Sequence, residues 1–259
     1  MKIGAYQFAV SGDIKQNMEI IKKAVSEAAV ENVRLLVFPE CALTGYPPYD
    51  IENLSEIKFA ELFRCYEQIQ MMAVKWKMHI IVGTIVKESN KCFNSAIAFS
   101  PDCENSVYHK RALWGWDKEN FCAGRQKGVL KVGGMKIGIR ICYEVRFPEF
   151  FRELYEEGTD LNIILFYDVS SQDDFERYEL IKSHIRTRAV ENVCHILTVN
   201  AIRPYQTAPT ALFDRSGGIC MELARNSEDL LIYDFEHMPM NFGEKGRKHI
   251  SDLLRQIQG

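Results

Sequence analysis

Two separate stretches of this chain run strand, helix, strand in the same order, and that order limits the folds open to it. In the first, "KIGAYQFAV" (residues 2–10) has strand character, and Asp13 with Gln16 forms a capping-box pair ahead of a helix. Ile14, Met18, Ile21, Val25 and Ala28 recur at spacings of four and three, which gives that helix one apolar face. "RLLVFPE" (34–40) follows as a short buried strand. In the second stretch, "MKIGIRIC" (135–142) is a strand and "LNIILF" (161–166) another. Between them "FPEFFRELYEEG" (147–158) is a helix with Pro148 in its first turn and Gly158 at its end. A further helix, with Tyr178, Ile181, Ile185 and Ala189 on one face, leads into the strand "CHILTVN" (194–200). Such units lay parallel strands side by side with both sheet faces covered by other layers, so an α/β layered fold is expected.

Between the two units lie a helix over roughly residues 55–77 and the strand-like runs "HIIVGTIV", "SAIAFS" and "SVYHK". After them come "TALFD" and "GICMEL", split by the turn "RSGG", and then "DLLIYDF". No linker, low-complexity segment or repeat interrupts the chain, which favours one domain over residues 1–259. In the tail, 239–259, Ile250, Leu253, Leu254 and Ile257 form an apolar stripe. That stripe suits either a contact with a neighbouring subunit or the chain's own core.

Composition narrows the function. Hydrophobic residues make up 47% of the 259 and charged ones 26%, with a net charge of −3, values of a globular protein that offers no basic domain to nucleic acid. No stretch approaches the roughly 20 apolar residues of a membrane span, and the N-terminus lacks the apolar region and cleavage site of a signal peptide. The eight cysteines (41, 65, 92, 103, 122, 142, 194 and 220) contain no C-x-x-C pair and are scattered through apolar segments. They suggest neither a disulfide framework nor a zinc site, and the chain reads as a reduced, cytoplasmic protein without a metal.

In open α/β sheets ligands collect beyond the carboxyl ends of the strands. Glu40 ends the second strand of the first unit, Cys142 ends the first strand of the second, and Lys110 ends "SVYHK". Together these three types could perform nucleophilic catalysis. A cysteine attacks a carbonyl or nitrile carbon once a base takes its proton, and Glu40 could be that base. Lys110 and the backbone N–H of Tyr143 are candidates to stabilise the oxyanion, at about 3 kcal/mol per donor. The helix starting near Pro148 would add a positive end near the thiol and lower its pKa. The plainer reading of each is a core cysteine, a loop-capping carboxylate and a solvated lysine. Spacing alone does not bring 40, 110 and 142 together.

"LLVFPECALTGYPP", "YHKRALWGWDKENFCAG" and "IRICYEVRFPEF" resemble, in order, the three signature segments of the carbon-nitrogen hydrolase (nitrilase) superfamily. "RTRAVEN" before a strand ending in Asn200 is similar to a further family segment, and the likeness runs from residue 3 to about 234. The "CYEVRFPE" form resembles the omega-amidase-like and Nit-type branch. The resemblance implies a four-layer α-β-β-α sandwich with Glu40 as general base, Lys110 beside the oxyanion and Cys142 as nucleophile. It implies no cofactor and no metal, a small-molecule amide as substrate, and a homodimer or higher homo-oligomer. Many members carry a second carboxylate seven residues before a glycine; counting back from Gly124 gives Asp117, with Glu119 as the alternative.

The expected activity is cleavage of a small linear amide to acid and ammonia through a thioester. A nitrilase or N-carbamoyl amidase on the same triad, or a catalytically weak ligand-binding protein on the same scaffold, is the alternative. A nucleotide-binding Rossmann protein is disfavoured, because "VSGDIKQN" after the first strand holds a single glycine. Tyr46, Trp114, Tyr167 and Asp168 are the candidate pocket residues, Trp114 serving equally well as a loop anchor with Trp116 and Phe121. Arg146 is expected to pair with Glu144 or another acid, Glu149 to favour a helix start, and "RTRAVEN" to be an ion-paired helix face.

Overall fold

The computed structural model describes every residue except His237 and Gly259, with side chains through Arg255. The chain forms β1 (Lys2–Gln7), α1 (Ile14–Val30), β2 (Leu35–Val37), α2 (Phe59–Trp76), β3 (His79–Glu88), β4 (Lys91–Phe99) and β5 (Ser106–His109). It continues with the short α3 (Trp116–Asn120), β6 (Val129–Val132), β7 (Met135–Ile141), α4 (Pro148–Glu157), β8 (Leu161–Phe166) and β9 (Val169–Ser170). Last come α5 (Phe175–Asn192), β10 (His195–Asn200), β11 (Tyr205–Gln206), β12 (Ala211–Phe213), β13 (Ile219–Glu222), β14 (Asp229–Asp234) and α6 (Phe242–Gln258).

Each of the two units forms the centre of its own six-stranded sheet. The first runs β14-β1-β2-β3-β4-β5, with β1, β2 and β3 parallel and the flanking strands antiparallel. The second runs β13-β12-β10-β8-β7-β6, with β7, β8 and β10 parallel. Three apolar cores separate four layers. Ile21, Val25 and Ile69 of α1 and α2 pack on one face of the first sheet through Leu36 and Ile80. Ile3, Leu35 and Ile81 meet Ile139, Ile163 and Leu197 between the sheets, and Ile181 and Ile185 of α5 cover the second sheet at Ile164 and Ile196. Side chains of this kind contribute about 1.5–3 kcal/mol each when fully buried, so the alternating β and helical periods largely determine the α-β-β-α sandwich. Among the described residues no helix is long and apolar enough to cross a membrane.

Local signals act as expected at several ends. The Asp13 carboxylate accepts the N–H groups of Lys15 and Gln16 and caps α1, although Gln16 accepts from the Ser11 hydroxyl and does not close the box. Gly158 ends α4 in the left-handed region at φ 70°, where a side chain would be strained. Strand β6 and helix α3 were not legible in the sequence, and α2 starts at Phe59, after a separate turn at Leu54–Glu56. The tail forms α6 and folds back on its own chain: the Tyr155 hydroxyl of α4 donates to Asp252 Oδ1 at 2.6 Å. Ile250, Leu253 and Leu254 stay exposed, and the Ile257 side chain lies outside the described residues.

Candidate active site

The two sheets bring the carboxyl ends of their central strands to one place. Glu40 leaves the β2 side of the first sheet, and its backbone N–H donates to the carbonyl of Phe166 at the end of β8 in the second, at 3.2 Å. The Glu40 side chain is buried and fully engaged. Its Oε1 accepts from Asn94 Nδ2 at 2.7 Å and from Lys110 Nζ at 2.8 Å, and its Oε2 accepts the N–H of Tyr167 at 2.9 Å. Close backbone packing holds it there: a Cβ on Gly83 of β3 would lie 2.1 Å from the carbonyl oxygen of Pro39 and 2.6 Å from Cα of Glu40. Only a glycine allows that approach.

Lys110 follows β5, its N–H donating to the carbonyl of Asn94 at 2.8 Å. Its ammonium is buried between two carboxylates, 2.8 Å from Glu40 Oε1 and 2.7 Å from Asp117 Oδ2. Asp117, in α3, also accepts the Tyr46 hydroxyl at 2.7 Å. Of the two acids named from sequence, Asp117 is therefore the one in the cluster, while Glu119 is exposed and outside it. Gly124 anchors this loop against the strand: its N–H donates to the Lys110 carbonyl at 2.9 Å, and an added Cβ would come 2.2 Å from the His109 carbonyl oxygen. His109 itself faces away, hydrogen bonded to Ser95 and Glu88 and stacked on Phe93.

Cys142 begins a single 3-10 turn, Cys142–Arg146, and sits at φ 45°, a left-handed conformation that costs a non-glycine residue of order 1–3 kcal/mol. Glu144, buried at 0% exposure, compensates for that strain. One oxygen accepts the N–H of Ile141 at 2.7 Å; the other accepts the Tyr108 hydroxyl at 2.8 Å and the N–H of Arg111 at 2.7 Å. Arg188 braces the far end of the turn, donating to the carbonyls of Val145 and Arg146 at 3.0 and 3.2 Å. The expected pairing of Arg146 with Glu144 is thus not made, because neutral donors fill that carboxylate, and the Arg146 guanidinium lies over the Tyr143 ring at 6.0 Å. Arg188 of "RTRAVEN" does pair with Glu191, but its main partners are the turn carbonyls. Tyr143 is the second residue of the turn, and its N–H is among the first-turn donors that a short helix leaves without an internal partner.

Electrostatics corrects one expectation. The Cys142 thiol is pushed well above the ordinary thiol range, by desolvation first and then by the charge of Glu40, to which it is hydrogen bonded; Lys110 opposes this. Burial and the Glu40 charge thus act against the lowering expected from the start of α4. Glu40 is raised by burial, partly offset by Lys110, and raised further by Asp117. Burial lowers the Lys110 affinity for its proton, but the negative charge of Glu40 and its neighbours prevails and the ammonium stays charged.

Cys142, Lys110 and Asp117 line a cavity of about 520 Å³. Tyr46 and Tyr167 stack at 4.9 Å along one wall and Tyr49 adds a third ring, 6.4 Å from Tyr167. Trp114 borders the cavity but is 70% exposed, whereas Trp116 and Phe121 pack edge to face, 5.5 Å apart, against the core of the first sheet. Asp168 reaches the lining with its charge already paired, accepting from Arg177 Nε at 2.8 Å and Nη2 at 3.0 Å. Sequence reasoning passed over Asn94 and Arg177, and named Glu144 only as a partner for Arg146. A polar Asn inside the buried run "FNSAIAF" was a signal for the first; nothing local marked Arg177. Among the described residues no group of three or more His, Cys, Asp or Glu side chains is arranged to hold a metal ion.

Residues 2–237 match the carbon-nitrogen hydrolase family, and the chain belongs to it. It is 30% identical to the 2-oxoglutaramate amidase of Bacillus subtilis over 207 residues, 76% of this chain and 75% of that protein. It is 26% identical to an (R)-stereoselective amidase of a Pseudomonas species over 206 residues, 78% and 71% of the two chains. Among solved structures, an amidase from a Nesterenkonia species superposes with a TM-score of 0.79 at 22% identity, covering 99% of this chain and 95% of that one. A CN-hydrolase superfamily protein from Xanthomonas campestris does so at 0.77 and 20% identity, covering 100% and 97%. These likenesses bear out the four-layer sandwich expected from the sequence.

Proposed function

We propose that the protein is a cysteine-dependent amidase that releases ammonia from a small linear amide through a thioester on Cys142. The observation that carries this reading is the single cluster formed by Glu40, Lys110 and Cys142, three residues from three different strand ends in two sheets. Glu40, hydrogen bonded to the thiol, takes its proton as Sγ attacks the amide carbon. Negative charge develops on the carbonyl oxygen, where Lys110 and the Tyr143 N–H stabilise it. Collapse of the adduct breaks the C–N bond, and the nitrogen leaves as ammonia with the proton Glu40 had taken. Water then gives a proton to Glu40 and attacks the thioester; the acid departs and the thiolate recovers that proton.

Asp117 has a supporting role in this scheme. Its carboxylate holds the Lys110 ammonium together with Glu40, and its negative charge raises Glu40. A buried, raised base beside a raised thiol suits a proton transfer made only when the substrate is in place. Amides are favoured over nitriles by the amidases among its relatives. The test is Cys142→Ala: in a variant with unchanged thermal unfolding, amide hydrolysis disappears, and retained hydrolysis refutes the assignment.

The same reading includes a homo-oligomer, supported by the exposed Ile250, Leu253 and Leu254 of α6, and a cytoplasmic setting, supported by eight unpaired cysteines. Light scattering on the purified protein gives the mass that decides the former.

A further inference from the structure

The Glu40 carboxylate offers four lone-pair positions, two on each oxygen, and its neighbours occupy three of them. Oε1 accepts from Asn94 Nδ2 at 2.7 Å and from Lys110 Nζ at 2.8 Å, which fills that oxygen. Oε2 accepts the backbone N–H of Tyr167 at 2.9 Å and keeps one position open. A proton passing between Glu40 and a reacting group thus has a single seat, on Oε2.

Of the three donors, the Tyr167 N–H is main chain and the Lys110 ammonium is shared with Asp117, 2.7 Å away. Asn94 is the neutral side chain among them, 0% exposed in β4. Its amide can meet Glu40 only through its NH2: turned over, Oδ1 would face Oε1, acceptor against acceptor. In the orientation it has, Oδ1 accepts instead from the Cys41 thiol at 3.8 Å. The Asn94 carbonyl also accepts the Lys110 N–H at 2.8 Å, so one strand position holds both the base and the lysine. That second bond is main chain and survives a change of side chain.

We propose that Asn94 is a positioning residue for the general base: by filling Oε1 together with Lys110, it leaves Oε2 as the one oxygen that exchanges protons with Cys142, the departing nitrogen and the hydrolytic water. This rests on the amidase reading above. The thiol proton moves to Oε2 as the Sγ–C bond forms and goes from Oε2 to the nitrogen as the C–N bond breaks. A proton of the attacking water then takes the same seat and returns to the thiolate as the acid leaves. Asn94 does not line the cavity and acts through Glu40.

A donor on Oε1 also favours the carboxylate over the acid, against burial and the charge of Asp117. Removing it opens a second seat for the proton and takes that support away, and both changes move the Glu40 titration to higher pH. The other titratable groups around Glu40 are Lys110 after β5, Asp117 in α3, Cys142 after β7, and Cys41 and Tyr46 in the loop after β2. All of these are kept when Asn94 alone is changed.

The test follows alkylation of Cys142 by iodoacetamide against pH, read as the adduct on its peptide by mass spectrometry, a reaction that draws on Glu40 as base but needs no turnover. In Asn94→Leu, which keeps a branched side chain of similar shape without the donor, the acid limb is expected about one pH unit above that of the native protein, so that alkylation on the limb is about tenfold slower. Should Asn94→Leu fail to fold, Asn94→Ala removes the same donor and gives the same shift. A limb that stays in place while the rate falls at every pH makes Asn94 a packing residue and overturns the proposal, as does a limb that moves down. Ammonia release from linear amides, acetamide to hexanamide, is measured beside it. A native protein that is alkylated but releases no ammonia refutes the amidase reading and leaves the alkylation result to decide the role of Asn94.

Discussion

Glu144 accepts the backbone N–H of Ile141, the residue directly before Cys142, at 2.7 Å. Its other oxygen takes the N–H of Arg111, the residue directly after Lys110, at 2.7 Å. One buried carboxylate thereby sets the spacing between the nucleophile's turn and the lysine's strand end. In Glu144→Gln the amide oxygen can still accept from Tyr108 and Arg111, but the amide NH2 then faces the Ile141 N–H, donor against donor. An orphaned buried donor costs about 1–3 kcal/mol, so the unfolding midpoint should fall by about 2–4 °C for each of those kcal/mol. Because the turn moves with it, kcat should fall more than KM rises. Calorimetry and steady-state kinetics check both.

The acid limb of the pH profile should belong to Glu40. Its carboxyl is raised by burial, with Lys110 lowering it and Asp117 raising it again. Activity needs the ionised base, so kcat/KM should decline as pH falls through a value above the ordinary carboxylate range. In Asp117→Asn one negative neighbour is gone and Lys110 answers to Glu40 alone; both changes favour the ionised form. The limb should then move to lower pH even as the maximum rate drops. A limb that stays in place or moves upward assigns the titration to another group.

Gly83 should tolerate no side chain. An alanine Cβ there would meet the Pro39 carbonyl oxygen and Glu40 Cα, both backbone atoms that cannot swing aside. Gly83→Ala is expected to cost about 1–3 kcal/mol in overpacking and to displace Glu40 from its three hydrogen bonds, lowering kcat disproportionately. Thermal unfolding and single-turnover rates measure the two effects separately.

The layered fold was legible because its information is periodic. Buried strands such as "LNIILF" and one-faced helices such as α1 declare themselves through residue spacing, and their order requires covered parallel sheets. The strand ends then nominated Glu40, Lys110 and Cys142. What the sequence could not supply was any relation between residues of different elements. Asn94 beside Glu40, Arg111 on Glu144 and Arg177 against Asp168 are contacts between residues 9 to 54 positions apart, and no local pattern encodes them. The pKa of Cys142 was misjudged for the same reason. The helix end was visible in the sequence, whereas the desolvation and the adjacent Glu40 charge that act against it appear only when the chain is folded.

The central claim is a covalent acyl intermediate on one cysteine of eight, and intact-mass spectrometry of acid-quenched enzyme with an amide substrate tests it most directly. The account predicts a mass increase equal to the acyl group less one hydrogen, mapped by peptide digestion to Cys142 and absent from Cys142→Ala. Turnover with no adduct under burst conditions, or an adduct on any of the other seven cysteines, contradicts it.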